Sequence, residues 1–194
     1  MELHAAFKHL TRAAAGRIIS LKAVCPAFRK MCEERKGKTM KRLLFVCHGN
    51  ICRSPMAEFV MKDLVKKAGL TSQFHIESAA TSREEIGNPV YPPARRKLAE
   101  HNISCGGHAA RQLTRQDYDA YDLLIGMDQA NLRNMRRICG GDPDDKIHLL
   151  LDYTARPGDV ADPWYTGDFE ATWRDVLAGC RGLLRELTDA ATGE

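Results

Sequence analysis

The sequence predicts an α/β fold: a single-domain three-layer sandwich in which a four-stranded parallel sheet carries helices on both faces. From about residue 41 onward, short apolar runs alternate with segments whose apolar residues recur at helical spacing. Such alternation is typical of a parallel sheet with helices packed on it. The chain has 194 residues, 44% of them hydrophobic, which is enough to bury the core of one domain.

The predicted strands are short, apolar and partly β-branched, and they cover residues 43–46, 74–78, 122–127 and 146–150. The predicted helices have apolar residues three or four positions apart, and they cover residues 56–68, 91–101, 128–138 and 169–187. Ser54 and Pro55 signal the start of the first helix, Glu58 adds negative charge to its first turn, and Gly69 ends it. Asp128 is predicted to cap the third helix. Parallel sheets bind ligands beyond the carboxyl ends of their strands, so the site is expected there.

The turn after the first strand, residues 46–55, reads VCHGNICRSP and places Cys47 and Arg53 six positions apart. Backbone N–H groups of such a turn, together with a helix N-terminus, attract an anion. The same field stabilises a thiolate, so Cys47 is predicted to be a nucleophile. Arg53 can hold two phosphoryl oxygens with its planar guanidinium group, and Ser54 is placed to donate a hydrogen bond to the sulfur.

An inert core thiol, or a metal site built from Cys47, Cys52 and His48, is the competing interpretation. Arg53 would repel a cation, and a zinc site needs a second ligand pair. The sequence therefore predicts no metal and no nicotinamide or flavin cofactor. Seven cysteines without a framework spacing predict free thiols in a reducing cytoplasm. The five outside the turn are scattered singly: Cys25, Cys32, Cys105, Cys139 and Cys180.

The charge distribution separates a basic N-terminal extension, residues 1–40, from a domain predicted over residues 41–190. Residues 1–42 hold eleven Lys or Arg against three Glu, whereas residues 43–194 hold eighteen against twenty-two Asp or Glu. Apolar residues at helical spacing predict an amphipathic basic helix before Pro26, which leaves membrane-surface, targeting and nucleic-acid roles open. Alternatively, Met40 is the natural start and residues 1–39 are not native.

No nucleic-acid binding is expected of residues 41–190. No run in the sequence approaches the roughly 20 apolar residues of a membrane span.

A second motif, Ala161-Asp-Pro-Trp-Tyr165, lies in a Pro- and Gly-rich loop before the last helix. A thiolate that accepts a phosphoryl group needs a partner that protonates the departing oxygen. Asp162 is predicted to be that acid, because Trp164 and Tyr165 would partly desolvate its carboxyl group. Taken alone, Asp-Pro is also a common turn opener.

Together the two motifs resemble those of the low-molecular-weight protein tyrosine phosphatases, over about residues 41–190. The family pattern of Val-Cys, five residues and Arg-Ser-Pro matches residues 46–55, and its late Asp-Pro-aromatic-Tyr motif matches residues 162–165. The resemblance implies that Cys47 is the nucleophile, Arg53 the phosphate clamp, and Asp162 the general acid and then the base for water. In the larger phosphatases that share only the Cys-to-Arg spacing, the acid precedes the cysteine; here it follows.

The resemblance also implies a phosphotyrosine-containing protein substrate, inorganic phosphate or another oxyanion in the loop, and a monomer. It implies that Cys47 and Cys52 form a reversible disulfide, which would be an oxidation switch. Ser78 and His108, with Asn50, match positions that support the loop. The implied substrate- or phosphate-binding residues are His48, Gly49, Asn50, Ile51, Cys52, Ser54, Glu84, Trp164 and Tyr165.

Two positions depart from the family pattern or refine it. Glu84 stands where tyrosine-selective members often carry an aromatic wall, and its carboxylate is expected to disfavour acidic peptides. Ile51 stands where phosphoarginine-specific relatives tend to carry Thr, which favours phosphotyrosine. The alternatives are a phosphoarginine phosphatase, a thiol-dependent arsenate reductase, and non-enzymatic nucleic-acid or membrane binding through residues 1–40. Arsenate reduction would need two resolving cysteines in residues 125–147, which hold only Cys139.

Overall fold

A computed structural model describes residues 40–192, so the predicted N-terminal helix lies outside the described residues. The sheet has four parallel strands in the order β2-β1-β3-β4, which confirms the predicted fold class. The strands are β1 (Lys41–Cys47), β2 (Phe74–Ala80), β3 (Leu123–Gly126) and β4 (Ile147–Leu149). Because all four run in one direction, their carboxyl ends meet at a single edge.

The described helices are α1 (Arg53–Lys67), α2 (Pro92–Glu100), α3 (Arg115–Ala120), α4 (Gln129–Cys139), α5 (Pro163–Thr166) and α6 (Phe169–Thr192). Single 3₁₀ turns follow α1 at Thr71–Gln73 and β4 at Leu150–Tyr153. None of these helices offers a stretch apolar and long enough to cross a bilayer.

The central strand β1 is buried on both faces, as expected for a parallel strand between two helical layers. Successive side chains of a strand point to opposite faces. Leu43 and Phe45 pack with apolar residues of α1, α2 and α6, whereas Leu44 and Val46 pack with residues of α3 and α4. Two cores therefore enclose the sheet and fix the position of Cys47 at its carboxyl edge.

Several predicted boundaries were wrong. β1 extends to Cys47, so the cysteine closes the strand and does not lie in the turn. Leu150 begins a 3₁₀ turn, which shortens β4. Glu58 lies beyond the first turn of α1, which starts at Arg53. The short helices α3 and α5 were not predicted.

The long helix α6 lies very close to the 3₁₀ turn that follows β4. A Cβ atom on Gly182 would stand 1.9 Å from the Tyr153 carbonyl oxygen, and one on Gly179 would stand 2.4 Å from Leu150 Cγ. Only glycine permits this approach. The contact fixes the segment from which the chain returns towards Asp162.

Candidate active site

The loop between β1 and α1 wraps around the sulfur of Cys47. The Asn50 backbone N–H donates to Cys47 Sγ at 3.3 Å, and Ser54 Oγ lies 3.1 Å from the same sulfur. Asn50 adopts a left-handed backbone conformation, with φ of 59°, which Asn tolerates better than most residues. The turn thereby brings an N–H group back onto the strand end, as the sequence predicted.

The side chain of Asn50 is fully buried behind the loop. Its amide nitrogen donates to Ser54 Oγ at 2.9 Å and to Ser78 Oγ at 2.8 Å, and its oxygen accepts from the Arg111 N–H at 3.1 Å. Because Ser54 Oγ accepts this hydrogen bond, its own hydrogen can point either at Cys47 Sγ, 3.1 Å away, or at the Ala79 carbonyl oxygen, 3.5 Å away. Asn50 and Ser54 are not among the residues that line the cleft.

Ser78 and His108 hold Asn50 from outside the loop. Ser78 donates to Glu58 Oε2 at 2.5 Å, and His108 Nε2 donates to the Asn50 carbonyl oxygen at 2.8 Å. His108 Nδ1 lies 4.0 Å from Glu58 Oε2. Ser78 and His108 thus lie where the resemblance implied, whereas the support from Glu58 was missed because the sequence gives its partners no local spacing.

The guanidinium group of Arg53 is almost completely buried between two carboxylates. Nη1 donates to Asp128 Oδ2 at 2.7 Å, and Nη2 lies 2.5 Å from Asp162 Oδ2. Burial acts to lower the pKa of Arg53, but the charges of Cys47, Asp162 and Asp128 outweigh it and raise the pKa. Arg53 is therefore held as a cation with its donors facing the cleft.

Asp128 was predicted only as a helix cap, and it has two contacts. Its Oδ1 accepts from the Asn131 N–H at 2.6 Å and caps α4, while Oδ2 binds Arg53. The sequence did carry one signal for the second role, because Asp128 follows β3 at the sheet edge where ligands bind.

Asp162 lies above the loop at the start of α5. Its Oδ1 accepts from the Trp164 N–H at 3.0 Å, while Oδ2 faces Arg53. Trp164 packs on Tyr91 with ring centroids 5.6 Å apart and remains 58% exposed, and Tyr165 is 85% exposed. Two aromatic surfaces therefore stand at the mouth beside a carboxylate.

These groups enclose a cleft of about 230 Å³, below the roughly 300 Å³ at which drug-sized pockets begin. A single phosphoryl group, together with part of a phenyl ring attached to it, fits such a space. Among the predicted residues, those that line it are Cys47, His48, Gly49, Ile51, Cys52, Arg53, Glu84, Asp162, Trp164 and Tyr165. Glu85, which was not predicted, also lines it.

Cys52 lies in the same loop as Cys47, and both are free thiols. Burial, followed by the charges of Cys47 and Asp162, raises the pKa of Cys52 to about 12. Cys52 therefore stays protonated at neutral pH. Within residues 40–192, no group of three or more His, Cys, Asp or Glu side chains is arranged to hold a metal ion.

A thiol at the carboxyl edge of a parallel sheet, facing an arginine and a carboxyl group from a later loop, defines a cysteine-dependent phosphatase. The family model for low molecular weight phosphotyrosine protein phosphatase matches residues 42–192. The chain belongs to that family.

Similar proteins cover the same part of the chain. YfkJ of Bacillus subtilis, a low molecular weight protein-tyrosine-phosphatase, is 41% identical over 150 residues, or 76% of this chain and 96% of the relative. Its crystal structure has a TM-score of 0.75 at 40% identity, covering 77% of this chain and 96% of that one. The human low molecular weight phosphotyrosine protein phosphatase is 37% identical over 155 residues, covering 75% of this chain and 95% of its own. The structure of a Drosophila arginine phosphatase matches with a TM-score of 0.70 at 31% identity, covering 76% of this chain and 98% of that one.

Proposed function

We propose that this protein hydrolyses phosphotyrosine and aryl phosphate monoesters through a phosphocysteine intermediate on Cys47. The observation that carries the proposal is the position of Cys47 Sγ, which accepts the Asn50 N–H and contacts Ser54 in a cleft that also exposes Arg53 and Asp162. Family membership supports the reaction class. The individual roles rest on the geometry of the side chains.

In the first step, the Cys47 thiolate attacks phosphorus, so that an S–P bond forms as the ester P–O bond breaks. Asp162, which takes up a proton once substrate displaces it from Arg53, gives that proton to the departing phenol oxygen. Arg53 binds two of the equatorial phosphoryl oxygens. Substrate takes over the Arg53 nitrogen that binds Asp162 in the free protein, and this frees the Asp162 carboxyl group to meet the leaving oxygen.

In the second step, water attacks phosphorus and the S–P bond breaks. The Asp162 carboxylate accepts the proton from water, the Cys47 thiolate is restored, and inorganic phosphate leaves. Ser54 Oγ, 3.1 Å from the sulfur, donates to it as the S–P bond breaks. Each group therefore returns to its starting state.

Turnover of p-nitrophenyl phosphate and a phosphotyrosine peptide tests the proposal. Cys47→Ser is expected to abolish turnover of both substrates.

Arg53→Lys is expected to lower kcat/KM by about a hundredfold or more, since lysine keeps the charge but cannot bind two phosphoryl oxygens at once as a guanidinium group does. Asp162→Ala is expected to retain substrate binding and to lower kcat, because no acid protonates the leaving oxygen. Equal activity of Arg53→Lys and the parent would overturn the clamp assignment.

Phosphoarginine is the second candidate substrate, because a structurally similar Drosophila protein carries that activity in its name. Ile51 lines the cleft and is 8% exposed, and its apolar branched side chain favours an aromatic ring over a guanidinium group. Parallel assays with phosphotyrosine, phosphoserine and phosphoarginine peptides decide between these substrates, with turnover of phosphotyrosine expected to dominate.

Arsenate reduction is disfavoured because Cys139 is buried, which raises its pKa to about 11.

Oxidation is proposed to switch the enzyme off reversibly. Peroxide converts the Cys47 thiolate to a sulfenic acid and releases hydroxide; the Cys52 thiol then attacks this sulfur, so that a disulfide forms and water leaves. Dithiothreitol is expected to restore activity to the parent but not to Cys52→Ser after extended peroxide treatment. Recovery that is unchanged in Cys52→Ser would count against the switch.

The physiological setting is proposed to be a cytoplasmic phosphoprotein pool with the enzyme as a monomer. The five free cysteines of the described residues support a reducing compartment. Within residues 40–192, three of the four exposed large hydrophobic residues belong to the cleft or its flanking loop, namely Ile86, Trp164 and Tyr165. This part of the chain therefore offers little other apolar surface for self-association. Sedimentation at two concentrations checks the monomer.

A further inference from the structure

The mouth of the cleft carries two carboxylates on the loop after β2. The side chain of Glu84 is 72% exposed, and its Oε2 lies 3.0 Å from His48 Nε2 on the phosphate-binding loop. Glu85 leans over the same loop, because a Cβ atom on Gly49 would stand 3.2 Å from Glu85 Cγ. Both side chains line the cleft.

No Lys or Arg among the described residues that line the cleft pairs with this rim. Glu85 Oε2 accepts from the neutral Asn88 amide at 2.6 Å. Arg53 is the single Lys or Arg among the lining residues of the described chain, and it is already bound to Asp128 and Asp162. The neighbouring Arg83 donates to Gln112 at 2.7 Å and does not line the cleft.

The negative charges of the rim act on the residues of a peptide that flank its phosphotyrosine. Glu85 is one of the charges that raise the pKa of Cys52, so its field extends into the phosphate-binding loop. Amide groups and Arg53 at the bottom of the cleft hold the phosphoryl oxygens, whereas residues that flank phosphotyrosine in a peptide must pass the rim. Acidic residues beside the phosphotyrosine are repelled there by the carboxylates of Glu84 and Glu85, whereas basic residues are attracted by them.

We propose that Glu84 and Glu85 make the enzyme selective for phosphotyrosine flanked by basic residues. This selectivity rests on the proposed phosphotyrosine phosphatase activity and names the substrate class for it. Exposed ion pairs are individually weak, so the expected preference for basic over acidic flanks is about five- to twentyfold in kcat/KM.

The test uses three phosphotyrosine peptides of equal length that carry two Lys, two Ala or two Glu residues next to the phosphotyrosine. The parent is expected to prefer the Lys peptide, and the double variant Glu84→Gln/Glu85→Gln to treat all three within about twofold. Asp119→Asn is the matched control, because Asp119 is an exposed carboxylate on α3 at the opposite end of the sheet. It should keep the parent's ratio.

A measurement on the unsubstituted protein guards against misfolding of the variant. Raising the ionic strength to about 1 M shortens the screening length to about 3 Å, which should also bring the three rates together. Equal rates for the Lys and Glu peptides in the parent, or a preference that survives in the folded double variant, would overturn the rim assignment. Failure of the parent to hydrolyse any of the peptides, or p-nitrophenyl phosphate, would instead overturn the proposed function.

Discussion

Asp128 shows how one carboxylate can serve the fold and the chemistry with different oxygens. Oδ1 caps α4, and Oδ2 holds one end of the Arg53 guanidinium group. In the proposed mechanism Arg53 exchanges its contact with Asp162 for a phosphoryl oxygen, so Asp128 is its permanent anchor. The two functions are separable, because Asn caps a helix as well as Asp does.

Asp128→Asn is therefore expected to lower kcat/KM for p-nitrophenyl phosphate by about tenfold, since Arg53 loses a charged anchor, while Tm stays within about 2 °C of the parent. Asp128→Ala is the comparison: it removes the cap as well and should cost about 1 kcal/mol of stability. Full activity in Asp128→Asn would show that Arg53 is positioned without this carboxylate.

Four of the five cysteines of the described residues have raised pKa values, so we expect one of these five to be reactive. Burial raises the pKa of Cys52 to about 12 and that of Cys139 to about 11, and it also raises the pKa values of Cys105 and Cys180. These groups lose their protons only as pH rises towards such values, so at pH 7 they are unreactive thiols. Cys47 is the exception in the proposed mechanism.

Brief treatment with iodoacetate at pH 7 is expected to carboxymethylate Cys47 ahead of the other four, as mapped by mass spectrometry of peptides. Inorganic phosphate should protect it by occupying the same loop, whereas chloride at equal ionic strength should not. Modification of Cys52 or Cys139 at the rate of Cys47 would contradict the protonation pattern.

At the scale of elements, the main strands and helices were predictable because their apolar periodicity is long enough to read. The helix α3 is only Arg115–Ala120, so it holds too few apolar residues to show a period. Its capping box, in which the Thr114 N–H donates to Asp117 at 2.7 Å, was the available signal. The similarly short α5 follows Asp-Pro, which also opens turns that contain no helix.

The packing of α6 against the 3₁₀ turn after β4 predicts an unusual sign for one helix substitution. Replacing Gly by Ala inside a helix normally gains about 1 kcal/mol. Gly182→Ala is instead expected to lower the free energy of unfolding by about 2 kcal/mol or more, because its methyl group would meet the Tyr153 carbonyl. Urea unfolding measures the change, and Arg181→Ala, on the exposed side of α6, should stay within about 0.5 kcal/mol. A stabilised Gly182→Ala would refute the close approach.

At the scale of the whole molecule, local spacing predicted the side chains around the Cys47 sulfur, but it did not predict every group that holds them. Cys47, Arg53 and Ser54 lie in one short segment, so their proximity follows from local spacing. The pairing of Arg53 with Asp128, or of His108 with the Asn50 carbonyl, joins positions far apart in sequence. Such contacts depend on how β1, β3 and the loop before α3 assemble, so local spacing does not predict them. The family resemblance implied a supporting role for His108, and the one signal for Asp128 was its position at the sheet edge.

The division of the chain at about residue 40 is the remaining prediction at this scale. β1 begins at Lys41 and pairs with β2 and β3. The charge also divides here, since residues 1–42 carry a net +8 and residues 43–194 a net −4. We therefore propose a domain that folds and turns over substrate without residues 1–39, and a separate electrostatic role for those residues.

Deletion of residues 1–39 is therefore expected to leave kcat/KM for p-nitrophenyl phosphate within about twofold and Tm nearly unchanged. The full chain should bind phosphatidylserine vesicles or duplex DNA at low salt and release them as salt rises, whereas the truncated protein, with its net negative charge, should bind neither. Phosphatidylcholine vesicles are the uncharged control. An unfolded truncated protein would place residues 1–39 within the domain. Equal binding by both forms would assign the affinity to the phosphatase domain, because the truncation removes a net charge of +6 and leaves a net charge of −2 together with the cleft and its acidic rim.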